Sequence, residues 1–324
     1  MFLGIDVSKN TLDVVLLKQS TQPKPPHKVF PNTPAGHQQL LSWLTSHRTG
    51  SVHACLEATG TWAESVALAL HEAGHTVSLV NPAQVRAFGQ SQLKRTKTDK
   101  ADAQLIARFC AMHQPPSWTP APAHMRELQA LVRRFEALEE MRHMEENRLQ
   151  SGITSAEVRS SLEEHIAYLQ EQIDKTKHQI RDHINQNPDL KNKARLLESI
   201  PGIGAATAAL LLAELGDIKQ FSSARQVAAF AGLVPRIRES GSSVRSRARL
   251  SKVGSSRLRK AMYFPAITAL RFNPLIRGLG LRLSAAGKSK MLIVGAAMRK
   301  LLHIAYGVLK SQRPFDPTFS TQSP

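Results

Sequence analysis

Four carboxylates stand out in a stretch with few acids. Residues 1–120 carry 11 Lys/Arg and only 7 Asp/Glu. Asp6 lies inside an apolar run, between Ile5 and Val7, and Glu57 closes another, VHACLE. Asp99 and Asp102 open a helical pattern at i and i+3, so they share a face. Taken singly, each has an ordinary structural reading: an acid after a strand satisfies a turn, and Asp99 behind Thr98 caps a helix. Together they suit a divalent cation. Mg²⁺ takes hard oxygen ligands, and clustered carboxylates do not stay ionised together without a cation. Two such ions hold the attacking and leaving oxygens of a phosphodiester displacement. Asp13, on the second apolar run, is read as solvent-facing.

A second candidate is the segment RIRESGSSVRSR, the densest Ser/Arg patch in the chain. Its arginines, Arg236, Arg238, Arg245 and Arg247, can grip phosphates in bidentate fashion. Arg249 and Lys252 continue the basic run. The serines have two uses. They donate hydrogen bonds to a backbone phosphate, or one of them attacks phosphorus and forms a covalent intermediate. Chemistry alone does not choose among Ser240, Ser242, Ser243 and Ser246.

The charge supports a polyanionic partner. The chain has 324 residues and a formal net charge of +18. Residues 201–324 hold 20 Lys/Arg against 4 Asp/Glu, so nearly all the excess lies in the last third. An acid-poor basic segment of this kind points to nucleic acid. A hydrophobic fraction of 42% excludes global disorder. The two cysteines, Cys55 and Cys110, make neither a disulfide framework nor a zinc site, which fits a reducing compartment. The N-terminus reads as no signal peptide. The apolar stretch 291–309 is interrupted by Arg299, Lys300 and His303, and reads as a buried helix rather than a membrane span.

The elements that must position the carboxylates alternate. Strands are expected at 2–7, 12–17, 28–30, 52–56 and 76–80, the first two joined as a hairpin through Ser8-Lys9-Asn10. Helices are expected at 36–47, 62–73 and 98–112. Asn81-Pro82 reads as a strand stop. This is an α/β order, and it matches that of the ribonuclease-H-like fold without excluding others. A proline-rich stretch, 114–122, marks a boundary. Beyond it the chain is helical. Leu162, Ile166, Leu169, Ile173, Thr176 and Ile180 form a heptad seam, read as a coiled-coil arm that pairs with another chain. Ile200-Pro201-Gly202-Ile203-Gly204 before an alanine-rich helix resembles a helix–hairpin–helix element. There Gly202 and Gly204 let backbone N–H groups approach a phosphate. Three regions follow: 1–122 α/β, 123–190 a helical coiled-coil region for oligomerisation, and 191–324 a basic helical domain.

The pieces together resemble a known family. They are GID (residues 4–6), LEATG (56–60), KTDKADA (97–103), ESIPGIG (198–204), AAFAGLVP (228–235) and ESGSSVR (239–245). In this order they look like the DEDD transposases of the one-ten insertion-sequence family, the bridge-RNA-guided recombinases. The resemblance covers almost the whole chain. It implies a RuvC-like N-terminal domain of ribonuclease H fold in which Asp6, Glu57, Asp99 and Asp102 bind Mg²⁺, two ions per site. It implies that Ser240, the first serine of ESGSSVR, is the nucleophile of a covalent phosphoserine–DNA intermediate. It implies donor and target DNA and a structured bridge RNA as partners, and a dimer that assembles into a tetramer. The helical arm between Asp102 and Ser240 points the same way, to an active site shared between subunits; the alternative is that the chain folds back and both parts meet in cis. Base pairing by the RNA then supplies sequence specificity. No membrane partner is expected, and the location is bacterial cytoplasm, on the nucleoid when DNA-bound. Two other readings use the same residues. One is a RuvC-type hydrolytic Holliday-junction nuclease, with water as nucleophile. The other is a non-catalytic nucleic-acid-binding protein.

Overall fold

The computed structural model describes residues 1–18, 22, 24–58, 60–92, 98–236, 239–240, 244–245 and 249–318, with the backbone alone at residues 61, 239, 240, 244, 245 and 249. The chain divides into two compact units, Met1–Pro120 and Ala121–Pro324.

The first unit is built on a five-stranded sheet. Its strands are β1 (Phe2–Val7), β2 (Thr11–Leu17), β3 (His27–Pro31), β4 (His53–Glu57) and β5 (Thr76–Val80), and its helices α1 (Pro34–Ser46), α2 (Thr61–Glu72), α3 (Pro82–Ser91) and α4 (Asp99–His113). The spatial order is β3-β2-β1-β4-β5. β1–β2 and β2–β3 pair antiparallel, while β1–β4 and β4–β5 pair parallel. This mixed sheet is consistent with a ribonuclease-H-like domain.

Alternation along the strands decides which face meets which helix. Leu3, Ile5, Leu12, Val14 and Leu16 point to one face and pack with Leu40 and Leu44 of α1 and Val66 and Leu70 of α2. The opposite face carries Val15 and Leu17, which pack with Ala103 and Ala107 of α4. Asp6, Asp13 and Glu57 belong to this second face by the same alternation.

α3 was not expected. Asn81-Pro82 starts a helix instead of only ending a strand: the Asn81 side chain accepts the Ala83 N–H at 2.9 Å, and Pro82 occupies the first turn. Proline is preorganised there because that N–H has no helical partner.

The second unit is helical. A long pair, α5 (Ala123–Gln150) and α6 (Ala156–Gln186), leads into α7 (Pro188–Glu198), α8 (Ala205–Leu215) and α9 (Ala224–Phe230). Four two-residue strands follow, β6 (Pro235–Arg236), β7 (Glu239–Ser240), β8 (Val244–Arg245) and β9 (Arg249–Leu250), then α10 (Ser256–Ala261), α11 (Tyr263–Phe272), α12 (Pro274–Ala285) and α13 (Lys290–Ser311). α13 is long and apolar enough to cross a membrane by length and composition. Here Ala297, Leu301, Leu302 and Ala305 are buried in the core of this unit, as its interrupted apolar pattern predicts.

The heptad seam has a different partner from the one its spacing suggested. α5 and α6 form a hairpin within one chain. Leu169 and Ile173 of α6 pack with Leu138 and Phe135 of α5. Ile180 and Ile184 join Met125, Leu128 and Val132 in the main core of the unit. A five-residue link between two amphipathic helices makes the intrachain pairing the one with the smaller closure entropy.

Candidate active site

α4 meets the sheet over Gly4. A Cβ at Gly4 would lie 2.1 Å from the Ala103 carbonyl oxygen and 2.3 Å from the Ala107 amide nitrogen. Only a residue without a side chain lets strand and helix backbone come that close. Asp6 is two residues further along β1 on the same face. Asp99 is one turn before Ala103 on the same face of α4. The contact at Gly4 therefore carries the first turn of α4, with Asp99 and Asp102, toward Asp6. Thr98 fixes where that turn begins: its hydroxyl accepts the Ala101 N–H at 3.2 Å. Gly4→Val forces the two backbones apart. It is expected to destabilise the protein by about 1–3 kcal/mol, the usual cost of an overpacked core, and to weaken divalent-metal binding. Thermal unfolding and Mn²⁺ titration check both.

The sheet supplies a row of acids. β1 and β4 are in parallel register through Ile5↔Leu56, so Asp6 and Glu57 follow as neighbours at the strand ends. On the other side Asp13 is directly opposite Asp6 in the β1–β2 ladder. Neighbouring strands are about 4.8 Å apart, so three carboxylates line up across β2, β1 and β4. Asp13 is thus not solvent-facing. It is half-buried on the carboxylate face, and its Oδ1 is 2.9 Å from Nε2 of His27.

The electrostatics record this crowding. The Asp6 carboxyl is pushed up to about 6, first by burial, then by Asp102, Asp99, Glu57 and Asp13. Glu57 is also raised, by burial and by Asp102, with the guanidinium of Arg86 on α3 pulling it back. The hydrogen bond with neighbouring Cys110, and then burial, raise the Cys55 thiol beneath α4, and both cysteines are free and buried. Arg86 and the Asp13–His27 pair are the features of the site that sequence reasoning missed.

Among the described residues, no three Asp, Glu, His or Cys side chains converge as a ready-made metal cage. The donor set nonetheless suits a hard divalent cation. Asp6, Glu57, Asp99 and Asp102 offer only oxygen, and Asp6 holds its proton more tightly because burial, and then the charge of the others, disfavours its ionised form. A divalent cation relieves that repulsion.

The raised Asp6 value contributes to the pH dependence of the metal-free protein. Between about pH 4 and pH 6 the folded state holds a proton at Asp6 that the unfolded chain releases. Asp6 therefore makes the fold more stable at the acidic end of that window and less stable as pH rises through about 6. Solvent screening at this half-buried site limits the effect to about 1 kcal/mol. Buried His37 and half-buried His53 and His75, whose imidazoles burial holds below the usual range, titrate in the opposite sense. The expected observation, by chemical denaturation in EDTA, is that the stability gap between Asp6→Asn and wild type widens from pH 4 to pH 7, with the variant gaining.

Comparison with known proteins fits this arrangement. Residues 3–156 match the family model of the IS110-type DEDD transposases, described as a transposase. Residues 194–279 match that of the Transposase IS116/IS110/IS902 family. The chain is 36% identical to the pilin gene-inverting protein of Moraxella bovis over 97% of both chains. It belongs to the IS110 family of DEDD transposases. A further relative is the transposase for insertion sequence element IS1328 of Yersinia enterocolitica, 29% identical over 64% of this chain and 69% of that protein. As an IS110-family protein the chain is a DNA-cutting and rejoining enzyme.

The structure brings Glu57, Asp99 and Asp102 of this IS110-family chain within electrostatic reach of Asp6, and Asp102 within reach of Glu57. In the second unit, the Ser240 backbone pairs with Val244 between β7 and β8. Its side chain lies outside the described residues, as do those of Arg245 and Arg249 and the whole of Arg238, Ser242, Ser243, Ser246 and Arg247. Arg236 and Lys252 are exposed. Gly204 precedes α8, which no side chain caps, and a Cβ there would meet open space. Gly202 differs: its φ is +107°, and a Cβ would lie 2.8 Å from Ala269 Cβ of α11. Its bareness serves packing within the chain.

Proposed function

We propose that this IS110-family enzyme is a bridge-RNA-guided recombinase that excises and inserts its own element. Asp6, Glu57, Asp99 and Asp102 hold a pair of Mg²⁺ ions, and Ser240 is the nucleophile. The observation that carries the metal site is the row of acids across the sheet beside the first turn of α4, with Asp6 raised by burial and by its acidic neighbours. Ser240 rests on the family resemblance of ESGSSVR.

The bound ions would neutralise charge on the scissile phosphate and its leaving oxygen. Asp6 and Glu57 come from strand ends and Asp99 and Asp102 from a helix start, so all four are held on rigid elements. The Ser240 hydroxyl gives up its proton as its Oγ bonds to phosphorus. The P–O bond to the leaving deoxyribose breaks, and that oxygen leaves as a free hydroxyl. Attack by a hydroxyl from the other duplex then reverses the step on a new strand and restores the serine. The phosphodiester count is unchanged and no high-energy cofactor is consumed.

Donor and target DNA, a structured guide RNA and a homodimer that becomes a tetramer are the partners in this reading. Cytoplasmic work on the nucleoid follows from them. The M. bovis relative is named for inverting a pilin gene, so DNA inversion is a second outcome of the same chemistry. The test incubates the full-length protein with Mg²⁺, DNA from the flanks of its gene and RNA transcribed from the adjoining non-coding stretch. Guided recombination predicts protein–DNA adducts and rejoined strands that both require the RNA. Cleavage that ignores the RNA and leaves no adduct contradicts it and favours the hydrolytic nuclease.

A further inference from the structure

The outer face of α11 is unusual for a soluble surface. Phe264 is 74% exposed and Phe272 is 69% exposed. Thr268 and Arg271, also exposed, lie between them on the same side of the helix. Arg277 and Arg282 continue the exposed surface onto α12. The helix itself is firmly seated. Pro265, Ala266 and Ala269 are buried, and the bare Gly202 turn packs against Pro265 and Ala269. Asn273 is fully buried at the corner with α12 and accepts the Leu275 and Ile276 N–H groups. The two rings are therefore displayed from a rigid corner.

The chemistry around them selects the partner. Residues 240–315 contain 16 Lys/Arg and no Asp or Glu. Within this segment Arg257 and Lys260 are paired with Glu136, Glu214 and Glu140 of other elements, but Arg271, Arg277 and Arg282 are exposed, and exposed arginines attract a phosphate backbone. Exposed planar rings among them add a second preference, because every base offers a π-face and base–aromatic stacking tolerates any sequence. A regular duplex hides those faces in its own stack. Phe264 and Phe272 are eight residues apart, or about 12 Å along the helix axis. That is too far to sandwich one base, so each ring takes its own.

We propose that Phe264 and Phe272 on α11, flanked by Arg271 and Arg277, bind unpaired nucleobases of a nucleic-acid strand. The arginines hold the backbone and the rings stack on bases exposed where a strand is open. These residues belong to the second unit and the four acids to the first, and the proposal does not depend on the identity of the nucleophile.

The test measures binding of full-length protein in EDTA, which prevents cleavage, to three fluorescein-labelled probes: a 20-nucleotide DNA without self-complementarity, the same sequence as RNA, and the DNA duplex. The expected result for Phe264→Ala/Phe272→Ala is a loss of affinity of about tenfold or more for a single-stranded probe. Duplex affinity and the dependence of binding on salt stay unchanged, because no charge is removed. Phe264→Tyr/Phe272→Trp restores binding, whereas Phe264→Leu/Phe272→Leu, apolar but not planar, does not. The DNA and RNA probes show which strand is held. Equal losses on duplex and single strand, no loss at all, or full rescue by leucine overturn the proposal. A change in sedimentation of the free protein with unaltered single-strand binding also overturns it, and identifies the face as a protein contact.

Discussion

Asp6→Asn and Asp102→Asn are each expected to abolish DNA strand cleavage while leaving the protein folded. Asparagine keeps the shape of aspartate and removes one anionic ligand. Asp6 is central to the row across β2, β1 and β4, and Asp102 is the neighbour that raises both Asp6 and Glu57. Losing either removes several kcal/mol of charge stabilisation at the reacting phosphate, so the rate falls by at least ~10³-fold. Folding should survive, because removing one of several mutually repelling acids relieves strain in the metal-free protein. Gel assays of cleaved DNA give the rate, and circular dichroism checks the fold. Cleavage at the wild-type rate by either variant removes that residue from the active site.

Ser240→Ala is expected to bind DNA and RNA normally and to form no covalent complex. In the proposed mechanism the missing hydroxyl leaves phosphorus without its nucleophile, so recombination is expected to fall to background. Ser242→Ala and Ser243→Ala should retain adduct, since they keep Ser240. Denaturing gels of a stalled reaction read this directly. Adduct that persists in Ser240→Ala assigns the nucleophile to another residue. Cleaved DNA with no adduct in the wild type assigns it to water.

Much of the first unit is legible in the sequence, because alternating apolar residues in short strands admit few arrangements. All five strands and helices α1, α2 and α4 follow from that pattern. α3 does not, since Asn81-Pro82 reads equally as the end of a strand and as a helix cap followed by its first residue. Asp13 shows a different failure. The hairpin is symmetric about Lys9 and Asn10, so residues whose numbers add to 19 face each other, and Asp6 meets Asp13. Judged by its neighbours alone, Asp13 is a polar residue on the solvent side. Judged by register, it lies on the carboxylate face with His27. The same limit applies to the α6 seam, whose spacing specifies a helical partner but not which chain supplies it. The close approach at Gly4 was invisible as well, because it depends on how α4 lies over β1 and on no feature of GID itself. The roles of the four acids as a set came from motif resemblance. Spacing alone left each with a structural alternative.

In the proposed function these four carboxylates form one divalent-metal centre. Titrating metal-free protein with Mn²⁺, followed by electron paramagnetic resonance, tests it without requiring the correct DNA or RNA. Wild type should bind Mn²⁺, and Asp6→Asn and Asp102→Asn should each lose most of that binding while Asp217→Asn, on the second unit, keeps it. A wild-type protein that binds no Mn²⁺, or variants that bind as well as wild type, would show that the four acids do not form a metal centre.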